Sequence, residues 1–152
     1  MRPHSGDMRV TFPRLPDHER AWALVERDDG VVYRLYGGTA GPRLPYDLMH
    51  LVAERELRIK DGIWAGIAAG EPSHPPARRA ELLADLVCSA ATLDTMTVDK
   101  IKGLTAATLS ALPGPDVDPV VIAAAARALQ VEAARWARLR VGEELSYDWP
   151  GN

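Results

Sequence analysis

One stretch limits the possible folds more than any other: residues 43 to 57 predict a helix that is apolar on most of its sides. Pro45 suits the first turn of a helix, and Asp47 places negative charge near the exposed N–H groups of that turn. Apolar side chains surround most of the remaining circumference through residue 59. A helix of this kind is usually buried between neighbours. We therefore expect it at the centre of the fold.

The polar side chains of this helix fall in one narrow stripe. At roughly 100° per residue, Asp47, His50, Glu54 and Arg58 lie within about 80° of one another. On an exposed helix they would be a solvated face, with Glu54 and Arg58 as an i, i+4 ion pair. On a buried helix the charged groups must be paired, hydrogen-bonded or bound to a metal. The stripe is thus either an ordinary surface or a candidate site.

As a site, the stripe predicts a small enzyme that acts on a small molecule. Asp47, His50 and Glu54 are residue types that a divalent metal such as zinc accepts as ligands. Without metal they could act as an acid/base set, in which His50 carries the proton because its ordinary pKa is nearest neutrality. These three residues are the predicted catalytic and metal-binding residues. We expect His50 to face the interior or a cleft, and Asp47 and Glu54 to point into the same space.

The alternative is a non-catalytic binding or assembly module with a buried ion-pair network. In that hypothesis Glu54 pairs with Arg55 or Arg58, and Asp47 pairs with His50. Three aromatic residues would then be exposed as a partner surface: Trp22, Tyr33 and Tyr36.

The segment after the central helix predicts a pocket beside it. Gly62, Gly66 and Gly70 recur at a spacing of four, so a helix here would have one face without side chains. Such a face indicates either close helix packing or the floor of a shallow pocket. The residues predicted to line that substrate pocket are Trp64, Gly66, Tyr46 and His74.

The remaining patterns predict an α+β fold. Strands are expected at residues 8 to 12 and 20 to 27, and Asp29-Gly30 before residues 31 to 36 is a typical hairpin turn. Pro13 indicates that the first strand lies at a sheet edge. Helices follow, with caps at Thr97 and Asp118, before a last strand at residues 144 to 149. This gives a small antiparallel sheet built from both termini, packed against a layer of about four to five helices.

Composition limits the partners and the location. With 152 residues, the chain is expected to form a single domain at residues 8–150 after a disordered leader at residues 1–7. A net charge of −3 argues against nucleic acid as a partner, and no apolar run is long enough to predict a membrane segment. A lone Cys88 fits a reducing compartment, so we expect a cytoplasmic protein. The oligomeric state stays open, with a dimer as one alternative.

The central helix also resembles known sequences. From Leu44 to His50, and on through Glu54 to Gly66, the chain resembles a group of small uncharacterised bacterial proteins with the signature L-P-H-D-L-x-H-x-x-V-E followed by G-x-W-G. Residues 141 to 150 extend this likeness. The same helix is faintly similar to the HDxxH metal motif of a coenzyme Q biosynthesis family, which implies a metal at Asp47 and His50. Tyr46 stands where that motif has its first histidine.

Overall fold

The N-terminal part of the chain forms a three-stranded antiparallel meander. In the computed structural model, which describes residues 6–70 and 75–151, β1 is Met8–Pro13, β2 is Arg20–Arg27 and β3 is Val32–Thr39. The predicted Asp-Gly turn joins β2 to β3, and Gly30 has a φ of 88°, a conformation that glycine adopts without strain. The hairpin prediction is confirmed.

Helices make up the middle of the chain, and a strand follows them. The helices are α1 (Tyr46–Glu56), α2 (Ile63–Ala68), α3 (Arg78–Ala91), α4 (Val98–Leu109) and α5 (Pro119–Arg138), and the strand is β4 (Glu144–Trp149). As predicted, Thr97 accepts a hydrogen bond from the backbone N–H of Lys100, and Asp118 accepts one from that of Val120. No described helix is both long and apolar enough to span a membrane.

The sheet has the strand order β3-β2-β1-β4, with every neighbouring pair antiparallel. It therefore combines strands from both ends of the chain, and with five helices it confirms the predicted α+β fold. The expectation that β1 lies at an edge is wrong, because β1 pairs with both β2 and β4. Pro13 is tolerated because it is the last residue of β1, where the ladder of hydrogen bonds ends.

One face of the sheet packs against the helices. Val10 lies opposite Val25 of β2 and Tyr147 of β4, and all three side chains are buried. The hydroxyl group of Tyr147 donates a hydrogen bond to Glu132 of α5, at 2.8 Å, which connects β4 directly to the helical layer.

Helix α1 lies at the centre of that layer, as its apolar circumference predicts. Leu48, Leu51, Val52 and Ala53 are fully buried, and α1 packs against both α3 and α5. The helix ends in a Schellman motif: the N–H of Ile59 donates to the carbonyl of Glu54, and that of Arg58 donates to the carbonyl of Arg55. Arg58 takes the left-handed conformation with a φ of 54°. It therefore lies outside the helix, and the predicted stripe is shorter than its spacing indicates.

Candidate functional site

Glu54 is the most deeply buried of the three predicted site residues, and its carboxylate is hydrogen-bonded to the first turn of α2. Only 2% of the residue is exposed. Its Oε1 accepts a hydrogen bond from the backbone N–H of Trp64 at 3.0 Å, in the first turn of α2. The N–H groups of the first turn of a helix have no acceptor within that helix, and Glu54 provides an acceptor for the N–H of Trp64. Burial raises the pKa of the Glu54 carboxyl to about 7, and the N–H groups of α2 oppose that rise.

The predicted partners of Glu54, Arg55 and Arg58, do not bind it. Arg55 lies over the ring of Tyr147, with its guanidinium carbon 5.4 Å from the ring centroid. Arg58 is exposed beyond the helix end. The ion-pair version of the network hypothesis is therefore wrong at Glu54, which is satisfied by backbone N–H groups instead.

His50 faces the interior, as predicted, but it points toward α3. The residue is 6% exposed, and its Nε2 lies 3.6 Å from Oδ1 of Asp85, which is too far for a hydrogen bond. Nε2 has no hydrogen-bond partner among the described residues. Its ring stacks on Tyr46 with centroids 4.3 Å apart. Burial lowers the pKa of His50, and the negative charge of Asp85 opposes this.

Asp47 points away from α3, toward the end of β3. A Cβ atom built on Gly37 would lie 2.7 Å from Oδ2 of Asp47, so glycine at this position leaves room for the carboxylate. The side chain is partly buried, and burial raises its pKa, with the charge of His50 acting in the opposite direction. No hydrogen bond or ion pair involves the Asp47 carboxylate within residues 6–70 and 75–151.

The three predicted site residues thus have three different neighbours. Glu54 contacts α2, His50 contacts α3 and Asp47 contacts β3. Across the described part of the chain, no group of three or more His, Cys, Asp or Glu side chains is arranged to hold a metal ion. The expectation that Asp47 and Glu54 point into the same space as His50 is wrong, because residues seven apart on α1 meet different elements.

Neither Trp64 nor Gly66, which were predicted to line a substrate pocket beside α2, borders a cavity found in the described residues. Trp64 is 1% exposed, and its ring N–H donates to the backbone carbonyl of Asp47 at 3.0 Å. Gly62 precedes α2, and a Cβ atom there would lie 2.1 Å from Oε1 of Glu54, so the glycine admits a carboxylate and not a ligand. Gly66 lies inside α2 and lines no cavity found in the described residues. His74 lies outside the described residues.

A cavity of about 470 Å³ lies instead at the other end of α1. It is bounded by the end of β3, the loop that follows it and the first turn of α1. Tyr46 of the predicted pocket lines it, together with Asp47. The other residues that shape it are Phe12, Ala21, Trp22, Gly37, Gly41, Arg43, Leu44 and Trp136.

Most of the wall of this cavity is apolar, and among the described residues Asp47 is the only one that contributes a carboxylate to it. The ring N–H of Trp136 is directed to the carbonyl of Gly41 at 3.3 Å, which fixes that wall to the loop after β3. The cavity combines apolar walls with a partly buried charged group that lacks a partner, an arrangement typical of a small-molecule site.

A second, more open cavity of about 800 Å³ lies between the C-terminal end of α1 and the segment of α2, of which Ala65, Ala68 and Ala69 line it. Glu54 borders it, together with Arg58, Lys60 and Trp149. The carboxylate of Glu54 is engaged by α2, and the two basic residues are exposed. This cavity therefore offers no buried polar group that is free to bind a ligand.

The three aromatic residues predicted as a partner surface do not share one face. Trp22 lies opposite Tyr36 across β2 and β3, and the guanidinium of Arg34 lies 4.2 Å from the Trp22 ring centroid. Tyr33 lies opposite the buried Val25, on the side of the sheet that packs against the helices. That part of the assembly hypothesis is wrong for Tyr33.

Sequence reasoning missed two residues of this region, Gly37 and Asp85. Gly37 begins a stretch rich in glycine, residues 37 to 42, which indicates a loop. Nothing in its spacing indicates that it contacts Asp47. Asp85 lies 35 positions from His50 and approaches it only because α3 packs along α1. Cys88 on the same helix is partly buried, and burial raises the pKa of its thiol to about 11.

Comparisons of the chain with protein-family models, with curated proteins and with solved structures found no match. The likeness to the small bacterial proteins and to the HDxxH motif therefore stays a prediction.

Proposed function

We propose that this protein binds a small molecule in the cavity between the end of β3 and the first turn of α1. The observation that carries the proposal is the Asp47 carboxylate, which is partly buried, borders the cavity and has no partner among the described residues. A charged group in such a position costs free energy in folding unless something pairs with it. A ligand would supply that partner.

The shape of the cavity supports this function. Its volume of about 470 Å³ falls within the range of small-molecule sites, roughly 300–1,000 Å³. Its walls come from strands, from the two helices α1 and α5 and from the loop after β3, and several of these wall residues belong to the core. Phe12 is 2% exposed and Trp136 is 2% exposed, so this side of the cavity is fixed before a ligand arrives.

We propose binding and not catalysis because Asp47, His50 and Glu54 do not face one common space. General acid/base chemistry needs the proton carrier within hydrogen-bond reach of the reacting atom. His50 does not line the cavity, and Glu54 borders a different one. A metal-dependent reaction at Asp47, His50 and Glu54 lacks support for the same reason.

Replacing Ala21 with Leu tests the proposal, because Ala21 lines the cavity and a larger side chain there reduces its volume. The probes are phenethyl alcohol and indole, followed by NMR of the backbone amides. In the wild type we expect both probes to shift the amide signals of Gly37 and Gly41. In Ala21→Leu we expect affinity for both to fall at least about tenfold, which corresponds to about 1.4 kcal/mol.

Ala106→Leu is the matched control, because Ala106 is an exposed residue of α4 and lines no cavity found in the described residues. This variant should bind both probes as the wild type does. If neither probe shifts the cavity amides of the wild type, or if Ala21→Leu binds them unchanged, the proposed function is wrong.

A further inference from the structure

We propose that the natural ligand of this cavity carries a positively charged amino or guanidinium group that pairs with Asp47, and an apolar body that fills the rest of the space. This inference rests on the proposed function and specifies the chemical class of the ligand.

The position of the Asp47 carboxylate is the first argument. A carboxylate accepts hydrogen bonds through two oxygen atoms and donates none when ionised. In this protein neither oxygen has a donor within the described residues, although Glu54, on the same helix, is satisfied by N–H groups of α2. A ligand with N–H donors and a positive charge provides both of the interactions that Asp47 lacks.

The second argument is that the cavity wall holds no cation against Asp47. Of the residues that the structure describes, Arg43 is the only basic one in the wall, and it is exposed and forms no ion pair with Asp47. Two other arginines near the cavity are engaged elsewhere. Arg34 lies over the ring of Trp22, and Arg14 forms an ion pair with Asp17 at 2.7 Å. A cationic ligand would therefore supply the positive charge that the described residues do not place beside Asp47.

The third argument is that the first turn of α1 is fixed at the boundary of the cavity, with Gly37 on one side of the carboxylate. Gly37 lies so near that a single added Cβ atom would come within 2.7 Å of Oδ2. The backbone carbonyl of Asp47 is also fixed, since it accepts the ring N–H of the buried Trp64. The backbone of Asp47 is therefore fixed beside the cavity before a ligand binds, which favours affinity.

The remaining walls determine the body of the ligand. The lining includes the aromatic residues Trp22, Tyr46 and Trp136, and Leu44 and Pro45 add aliphatic surface. Aromatic rings of this kind pack well against apolar groups and also attract an adjacent positive charge. An aryl or alkyl amine matches both requirements.

Three probes of nearly the same size separate charge from shape: phenethylammonium, phenethyl alcohol and phenylacetate. Their dissociation constants are measured by NMR titration of the Gly37 and Gly41 amides at pH 7.5 and low salt. We expect phenethylammonium to bind about tenfold or more tightly than phenethyl alcohol, because a charge-assisted hydrogen bond is stronger than a neutral one. Phenylacetate should bind most weakly, because its charge repels Asp47.

Two variants test whether Asp47 is the cause of this preference. Asp47→Asn keeps the size of the side chain and removes the charge, so phenethylammonium should lose its advantage while phenethyl alcohol still binds. Gly37→Ala keeps the charge and displaces the carboxylate, so it should weaken phenethylammonium more than phenethyl alcohol. Asp99→Asn is the control, since Asp99 is likewise an acidic residue in the first turn of a helix and lines no cavity found in the described residues.

The outcomes distinguish this inference from the proposed function. Equal affinity of the wild type for the ammonium and the alcohol would overturn the cationic ligand and leave the cavity as a binding site. A preference for the ammonium that survives in Asp47→Asn would also overturn it. If all three probes leave the cavity amides unchanged, the proposed function and this inference are both wrong.

Discussion

The two ends of α1 carry the same chemical group in two different states. At each end a carboxylate lies against a glycine, Asp47 against Gly37 and Glu54 against Gly62. Glu54 is fully buried and accepts N–H groups from α2. Asp47 is partly buried, borders a cavity and has no partner among the described residues. Glu54 thus has its hydrogen-bond partner within the protein, whereas Asp47 has none among the described residues.

This difference arises from what packs against each end of the helix. The C-terminal end of α1 meets the first turn of α2, which presents N–H groups that need an acceptor. The N-terminal end meets the last residues of β3 and the loop after it, and these leave a space. Both ends of α1 border a cavity, but a buried polar group with its partner inside the protein is a structural group, whereas a partly buried one without such a partner is a candidate ligand-binding group.

The largest expected effect is the loss of stability when Glu54 is truncated. Glu54→Ala removes the acceptor for the first turn of α2 and leaves a cavity in the core, so we expect the free energy of unfolding to fall by about 4 kcal/mol. Asp47→Ala should change it by less than about 1 kcal/mol, because no hydrogen bond is lost and the cost of burying an unpaired charge is removed. Urea denaturation at pH 7 measures both.

Glu54→Gln provides a milder version if Glu54→Ala does not fold. Its amide oxygen can still accept the N–H of Trp64, so its loss of stability should be smaller than that of Glu54→Ala. Similar losses for Glu54→Ala and Asp47→Ala would contradict the contrast between the two carboxylates.

The fold could be predicted from sequence because its signals are local. The Asp29-Gly30 turn, the caps at Thr97 and Asp118 and the apolar circumference of α1 each act within a few residues, and each is present as expected. Burial of His50 followed from the same pattern. These features depend on backbone conformation and side-chain period, which the sequence contains directly.

The site was predicted only in part because its geometry depends on elements distant in sequence. Helical spacing correctly indicated that Asp47, His50 and Glu54 lie near one side of α1, but it could not identify the partners across the interface. Three elements approach that side, and each meets one residue. The predicted i, i+4 ion pair of Glu54 with Arg58 is absent for a local reason. Helix α1 ends at Glu56, and Arg58 takes the left-handed conformation beyond it.

The next largest effect is the pH dependence of stability that Glu54 produces. Burial raises its pKa from the ordinary 4.5 to about 7 in the folded state. Between these values the folded protein binds more protons than the unfolded chain, so stability falls as the pH rises. The full contribution is present below about pH 4.5 and is lost as the pH passes through about 7, a change of about 3 kcal/mol.

The difference between the wild type and Glu54→Gln measures this contribution, because glutamine does not titrate. His50 acts with the opposite slope, since burial lowers its pKa, but both proteins contain it and it cancels. Urea denaturation from pH 4.5 to 8 should show that Glu54→Gln gains stability relative to the wild type as the pH rises. If the stability of the two proteins changes in parallel with pH, the pKa of Glu54 is not raised. The same comparison for Asp47→Asn should show a smaller difference from the wild type.

The smallest of these effects comes from the two glycines beside the carboxylates. A Cβ atom on Gly62 would lie 2.1 Å from Oε1 and 2.5 Å from Cδ of Glu54, so Gly62→Ala must displace a carboxylate that is hydrogen-bonded in the core. We expect a loss of about 2 kcal/mol.

A Cβ atom on Gly37 meets only the end of Asp47, which can rotate toward the cavity, so Gly37→Ala should change stability by less than about 0.5 kcal/mol. Thermal and urea denaturation of the two variants measure this directly, with Gly103→Ala as the control because its added Cβ atom would meet nothing within 4 Å. Equal losses at Gly62 and Gly37 would mean that Asp47 is held as firmly as Glu54, and a carboxylate held that firmly must have a partner within the protein.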